Sequence, residues 1–162
     1  MQNKVNFTES EQAFLLKAEQ YCSTSEQCCS SVREKLLNWG ASRDLTERIT
    51  LSLVDNGYID EERYCRIYCD SKLHLQKWGR LKIAYQLRGK RINNVVIEKA
   101  IQEIDEELYR ETLVKLAENK MHTIKEDDPR KRKAKLMSYL ASHGFTHEEI
   151  ENTINEILTN KQ

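Results

Sequence analysis

Residues 71–97 read SKLHLQKWGRLKIAYQLRGKRINNVVI. This segment, which we call the basic stretch, contains seven lysines and arginines and no aspartate or glutamate, although the chain has a formal net charge of zero. Positive charge is therefore concentrated here, beside His74, Trp78 and Tyr85, as expected for a surface that binds a polyanion or an acidic protein face. The alternative is a solvated helix face whose acidic partners lie on a neighbouring helix.

The composition of the 162 residues favours an all-helical protein. Charged residues make up 32% and hydrophobic residues 39%, with one proline and five glycines. Few helix breakers and many Leu, Glu, Lys and Arg are typical of helices. No apolar segment has the length of a secretory signal or a membrane span, so we expect a cytoplasmic protein with no membrane contact.

Five cysteines lie in the first half of the chain, namely Cys22, Cys28, Cys29, Cys65 and Cys69. In a reducing compartment we expect free thiols that pack as small hydrophobic side chains. A zinc site formed by Cys65 and Cys69 with the Cys28 and Cys29 pair is the alternative. The C-x2-C spacing that is typical of structural zinc sites is absent, so we expect neither a metal nor another cofactor.

Capping signals and glycines divide the chain into helices. Thr8 followed by Glu11 has the form of a capping box, which predicts a first helix over about residues 9–21. Asp60 is a suitable N-cap for a helix that runs to about residue 77, and a further helix is predicted over about residues 80–89. Asp128 before Pro129 predicts another start, because proline is well tolerated in the first helical turn.

The same pattern occurs three times. Gly40, Arg91 and Gly144 are taken as equivalent residues of the three units, and they lie 51 and 53 positions apart. Apolar residues then recur at fixed distances from them. These are Leu36, Leu87 and Leu140, then Val32, Ile83 and Leu136, then Leu53, Ile104 and Ile157. A period near fifty residues with three helices in each unit predicts an all-α, elongated tandem array of three three-helix repeats. We place the repeats at residues 1–57, 58–104 and 105–162, the second being the basic one.

The sequence offers no catalytic site, so we expect a protein that is not an enzyme. Gly89 and Lys90 are followed by Arg91 rather than by serine or threonine, which excludes a phosphate-binding loop. The four histidines are scattered along the chain. Adjacent glutamates such as Glu61 and Glu62 are more typical of a solvated helix face than of an acid-base pair.

The chain resembles the RecX family of bacterial recombination regulators. The residues that carry the resemblance are GYIDEERY at 57–64 and KWGRLKI at 77–83, followed by Leu87, Lys90 and Ile92. The family's architecture is also three tandem three-helix repeats, and the resemblance extends over about residues 13–158. Several positions depart from the family pattern: Cys28 replaces a capping serine, Ser31 and Val32 stand where the family has Glu-Leu, Cys65 replaces an alanine, Arg80 a frequent proline, and Arg91 a usual glycine.

The resemblance implies a non-enzymatic protein that binds the RecA recombinase filament on DNA. Such a protein lies in the helical groove of the filament and lowers the ATPase, strand-exchange and coprotease activities of RecA. We expect it to act as a monomer and to contact single- or double-stranded DNA weakly or through the filament. The candidate contact residues are Lys77, Trp78, Arg80, Lys82, Arg88, Lys90 and Arg91, with Arg130, Lys131 and Arg132 as a second patch. For Trp78, packing between repeats is the favoured role and stacking on a partner is the alternative.

A helix-turn-helix protein that reads DNA directly is the second functional hypothesis. Its recognition helix would present polar and basic side chains to base edges at its N-terminal end. The third helices offer Arg43, Asp44, Glu47 and Arg48 in the first repeat, Asn93, Asn94 and Lys99 in the second, and His147, Glu148 and Glu149 in the third. Their acidic residues would repel phosphate. The basic residues lie mainly on the middle helices, which disfavours direct readout.

Overall fold

A computed structural model describes residues 5–160, and within them the chain is helical with no strand. The α-helices are α1 (Glu9–Thr24), α2 (Cys29–Asn38), α3 (Arg43–Asp55), α4 (Glu61–Ser71), α5 (Arg80–Gly89), α6 (Asn94–Gln102), α7 (Glu106–Met121), α8 (Pro129–Ser142) and α9 (His147–Asn160). They form three consecutive three-helix units, α1 to α3, α4 to α6 and α7 to α9. The prediction of an all-α tandem array of three three-helix repeats is confirmed.

Side-chain caps fix the helix starts where the sequence predicts them. Thr8 and Glu11 form a complete capping box at α1, and this helix extends three residues beyond its predicted end at residue 21. Asp60 accepts a hydrogen bond from the amide of Arg63 at α4. Asp128 accepts one from the amide of Arg130, next to Pro129 in the first turn of α8. Each bond satisfies an amide that the first helical turn leaves unpaired.

Each unit has its own apolar core, and the predicted seam lies in these cores. Leu36, Leu87 and Leu140 each have 0% exposed surface, while Ile104 is only partly buried. The cores also link neighbouring units, since Cys28 from the first unit packs in the second core and Leu73 from the second unit packs in the third. The exact repeat boundaries at residues 57 and 104 remain a prediction.

The end of α4 differs from a regular helix. It continues directly into a π-helix, Lys72–Gln76, and Lys77 then adopts the left-handed conformation with φ of 57°. The wide turn leaves Leu75 78% exposed, whereas Leu73 is buried in the core of the third unit. Because π turns are rare, single-turn interruptions of the regular 3.6-residue period, sequence periodicity could not predict this one.

The three equivalent turn residues share one backbone conformation. Gly40 and Gly144 have φ of +98° and +96°, and Arg91 has φ of 59°. This agreement supports the alignment of the repeats. A non-glycine residue in the left-handed region costs about 1–2 kcal/mol, so Arg91 is a strained position. No helix within residues 5–160 is long and apolar enough to cross a bilayer.

Candidate partner-binding surface

The basic stretch divides into two parts with different surroundings. The first part, residues 72–82, contacts the third unit through Leu73 and residues 79–82, and the second part, residues 85–91, forms the outer half of α5 and the turn that follows. Helix α5 buries Ile83 and Leu87 in the core of the second unit, and this fixes which of its side chains point outward. Residues at spacings of three and four share a helix face, so Tyr85 and Arg88 lie on the side opposite the core.

The first part is joined to the third unit through the backbone. The amide of Gly79 donates to the carbonyl of His143 at 2.7 Å, and the amide of Leu81 donates to that of Gly144 at 3.0 Å. A Cβ atom on Gly79 would lie 2.4 Å from the Gly144 carbonyl oxygen, and one on Gly144 would lie 2.3 Å from Lys82 Cβ. Two glycines therefore allow a close approach that no other residue pair permits. We call this contact the glycine joint.

Arg80 strengthens the glycine joint. Its guanidinium lies 2.6 Å from a carboxylate oxygen of Glu106 and 3.8 Å from one of Glu149, and it stacks 3.9 Å from the centre of the Tyr109 ring. The Arg80 amide also donates to the Tyr109 hydroxyl at 3.0 Å. The side chain is only 23% exposed. Arg80 therefore fits the alternative interpretation, in which acidic residues of neighbouring helices neutralise a basic side chain.

Lys77, Lys82 and Trp78 are also engaged within the chain. Lys77 Nζ donates to the carbonyl of His74 at 2.6 Å, and Lys82 Nζ lies 3.4 Å from the Ser142 carbonyl. Trp78 is half-buried against the core of the second unit. Lys72 and Lys82 lie over its ring at 5.0 and 4.8 Å from the centroid. Its cation–π contacts are thus made by lysines of the same unit.

The second part of the stretch is turned outward. Tyr85 is 72% exposed, and Arg88 and Arg91 are also exposed. Arg88 Nε donates to Asn94 Oδ1 at 3.1 Å, which holds the guanidinium at the start of α6. In the part of the chain that the structure describes, no carboxylate lies within 4.0 Å of Arg88, Lys90 or Arg91. We call Tyr85, Arg88, Lys90 and Arg91 the outer cationic surface.

Tyr85 was not among the predicted contact residues. An exposed aromatic ring between cations can stack on a base or pack on a partner side chain. The sequence carries a signal for it, because Tyr85 lies out of phase with Ile83 and Leu87 on the helix. An aromatic residue on the polar side of an amphipathic helix is a candidate for contact with another molecule.

The second predicted patch lies at the start of α8. Arg130 and Lys131 are exposed, and Arg132 donates to the carbonyl of Met121 at 2.7 Å. Farther along the helix, Lys133 lies 3.6 Å from Glu151 and Lys135 3.1 Å from Glu126. The basic residues in the first turn of α8 are therefore available to a partner, whereas those of the next turn are partly neutralised by glutamates.

The third helices do not offer a basic reading face. Arg48 of α3 binds Glu11 and Asp44 at 2.9 and 3.0 Å, and Lys99 of α6 lies 3.4 Å from Glu62. The first turn of α9 carries Glu148 and Glu149. The basic side chains that a recognition helix would direct to DNA are here paired with carboxylates of the same chain.

The cysteines pack as apolar side chains. All five are free, and Cys28, Cys65 and Cys69 meet in the core of the second unit. Burial raises the pKa of Cys65 to about 11 and that of Cys69 to about 12, which opposes the thiolate form that binds metal. Within residues 5–160, no three Cys, His, Asp or Glu side chains are grouped to hold a metal ion.

Comparison with known proteins relates the chain to one family. Residues 60–101 match the second three-helix domain of RecX and residues 106–154 match the third, which together cover more than half of the chain. The chain is 31% identical to the regulatory protein RecX of Clostridium tetani over 78% of its length, and spans 59% of that relative. It is 29% identical to the regulatory protein RecX of Prosthecochloris aestuarii over 90% of its length, and spans 94% of that relative.

Solved structures share the fold. A crystal structure of RecX from Lactobacillus salivarius superimposes with a TM-score of 0.83 at 23% identity, covering 93% of this chain and 97% of the other. A second RecX crystal structure gives a TM-score of 0.79 at 23% identity, covering 90% of this chain and 74% of the other. The matched three-helix domains and the shared three-unit fold agree with the resemblance seen in residues 57–64 and 77–83. The chain belongs to the RecX family of regulatory proteins.

Proposed function

We propose that this protein is a non-enzymatic negative modulator of the RecA recombinase. It binds RecA filaments on DNA in their helical groove and lowers the ATPase, strand-exchange and coprotease activities of RecA. Membership of the RecX family supports a regulatory role. The observation that carries the proposal at the level of residues is the outer cationic surface, whose three cations have no carboxylate partner within residues 5–160.

The proposal assigns different roles to the predicted contact residues. Arg88, Lys90 and Arg91, with Tyr85 beside them, contact the phosphates of the filament DNA or carboxylates of RecA. Arg80 and Lys82 hold the third unit against the second, so their contribution is to set the shape of the array. A three-unit array can span more than one protomer of a filament, which fits a monomeric inhibitor that blocks the groove.

A titration of RecA ATPase on single-stranded DNA tests the function. Addition of this protein is expected to lower the ATPase rate, and inhibition that saturates near one protein per few protomers supports filling of the groove. Inhibition that saturates far below this ratio supports capping of filament ends. An ATPase rate that stays unchanged with excess protein would overturn the proposal.

The salt dependence of binding separates the modulator from the alternative, a helix-turn-helix-like protein that acts directly on DNA. Direct binding to bare DNA should weaken by about one log unit per log unit of salt for each phosphate that is neutralised. We expect weak binding to bare DNA and stronger binding when RecA coats the strand. Equal affinity for bare and RecA-coated DNA, with the same salt slope, would favour the alternative.

A further inference from the structure

A second candidate interaction site lies at the far end of the third unit. A groove of about 550 Å³ runs between the end of α7, the first two turns of α8 and the last turns of α9. Its apolar lining consists of Met121, Ile124, Pro129, Leu136, Ile154 and Leu158. Leu136 and Ile154 are each 3% exposed and belong to the core, whereas Leu158 is 51% exposed. The groove is thus an opening onto the core of the third unit.

The rim of the groove is cationic. Arg130, Arg132 and Lys133 line it, and neither Asp nor Glu is among its lining residues. Arg132 is held by its hydrogen bond to the Met121 carbonyl at the end of α7, and Lys133 lies 3.6 Å from Glu151. Cations in the first turn of a helix oppose the helix dipole and so lower its stability. The charge here is therefore not explained by the folding of α8.

The three units differ in the length of their middle helix. The middle helices α2 and α5 have ten residues each and α8 has fourteen, and all three end at equivalent positions, Asn38, Gly89 and Ser142. The four additional residues of α8 are therefore its first turn, 129–132. This turn contains Arg130 and Arg132 of the rim and Pro129 of the lining.

Within the array, the start of a middle helix is an inter-unit contact. Cys28, the N-cap of α2, is fully buried in the core of the second unit, and Gly79, the N-cap of α5, is buried in the glycine joint. The equivalent position in the third unit is Arg132, which is exposed together with the additional residues before it, 129–131, in the part of the chain that the structure describes. The third unit thus leaves open, beside an apolar groove, the end that the other two units use for contact.

We propose that this groove binds an amphipathic helix of a partner protein that carries acidic residues beside its apolar face. The apolar lining matches the apolar face of such a helix, as in other helix-in-groove contacts, and the rim matches its carboxylates. Nucleic acid fits less well, because the lining contains no aromatic side chain on which a base could stack. The site is separate from the outer cationic surface and requires neither RecA nor DNA, so the two proposals can fail independently.

Fluorescence anisotropy with two labelled synthetic peptides tests the inference on the full chain. One peptide is an amphipathic helix of about 18 residues, or about five turns, with leucine on one face and glutamate on the other. The second has lysine in place of every glutamate. The acidic peptide is expected to bind and the basic one is not, and addition of a single-stranded oligonucleotide is expected to leave the bound acidic peptide in place.

Two variants locate the site. Leu158→Glu places a charge on the exposed lip of the groove, and Arg130→Glu reverses a rim charge, and each is expected to weaken binding of the acidic peptide by about tenfold. Leu51→Glu and Lys115→Glu are matched controls, since Leu51 is 59% exposed on α3 and Lys115 is exposed on α7, and they should leave affinity unchanged. Leu158→Ser provides a milder change if Leu158→Glu lowers the thermal stability.

Three results would overturn the inference. The first is failure of the acidic peptide to bind the wild-type chain. The second is binding that Leu158→Glu, Leu158→Ser and Arg130→Glu all leave unchanged. The third is a pair of observations: the oligonucleotide displaces the acidic peptide, and oligonucleotide binding is lost in Arg130→Glu but kept in Leu158→Glu. This pair would assign the rim to nucleic acid.

Discussion

The turns at Gly40 and Gly144 have the same local structure and different surroundings. Both glycines follow the middle helix of their unit in the left-handed conformation, with φ of +98° and +96°. A Cβ on Gly40 would meet no atom within 4 Å, whereas one on Gly144 would lie 2.3 Å from Lys82 Cβ and 2.6 Å from its amide nitrogen. The first glycine is needed only for its conformation, and the second also for contact with the preceding unit.

This difference shows how one repeated turn acquires a structural role in the array. The third equivalent residue, Arg91, has the same conformation with φ of 59° but is exposed and charged. One turn ends a helix, one joins two units, and one presents a cation on the outer cationic surface. Substitutions at these turns and at Gly79 separate the three roles.

Gly144→Ala is expected to lower the free energy of unfolding by about 3 kcal/mol or more. It adds left-handed strain of about 1–2 kcal/mol to a steric overlap of about 1–3 kcal/mol. Gly40→Ala is the matched control, because it brings the strain without the overlap. Urea denaturation of both variants measures the difference, and equal losses of stability would mean that the glycine joint does not form in solution.

Gly79→Ala isolates the overlap from the strain. Gly79 has φ of −80°, which alanine adopts freely, but its Cβ would lie 2.4 Å from the Gly144 carbonyl oxygen. We expect a loss of about 2 kcal/mol in the free energy of unfolding. The double variant Gly79→Ala with Gly144→Ala should lose less than the sum of the single losses, since both disrupt one contact. Full additivity would show that the two glycines act separately.

Arg91→Gly should have the smallest effect and the opposite sign. Relief of strain of about 1–2 kcal/mol is partly offset by the greater chain entropy of glycine in the unfolded state, about 0.4–1 kcal/mol. We therefore expect a gain in stability of about 0.5 kcal/mol, measured by urea denaturation. Arg91→Lys serves as the control that keeps both charge and strain. A loss of stability in Arg91→Gly would show that the arginine makes a compensating contact.

Local sequence signals predicted the helices and the seam well, because caps, glycine stops and apolar spacing act within one helix. The bounds of α5 and the start of α8 at Pro129 follow directly from such signals. The π turn at Lys72–Gln76 and the glycine joint were not predictable, since both depend on contacts between units. Gly79 and Gly144 are 65 positions apart, and nothing near either one in the sequence indicates the other.

Charge concentration in the sequence indicated a candidate surface but not which of its residues lack a carboxylate partner. Excess positive charge singles out the basic stretch, and the structure places that stretch in the second unit. Charge alone could not show that Arg80 is paired with Glu106 and Glu149, because these residues belong to the third unit. Charge also could not single out Tyr85, which is indicated instead by its position out of phase with the buried Ile83 and Leu87 of α5.

Inhibition of RecA ATPase on single-stranded DNA by a charge-reversed variant is the most direct test of the account. In the variant Arg88→Glu, Lys90→Glu and Arg91→Glu are combined, and the control combines Arg43→Glu, Lys115→Glu and Lys125→Glu at exposed positions outside the outer cationic surface. We expect the concentration for half-inhibition to rise by about tenfold or more in the variant, and by less than about twofold in the control. Equal inhibition by both folded proteins would contradict the assignment of this surface to RecA filaments.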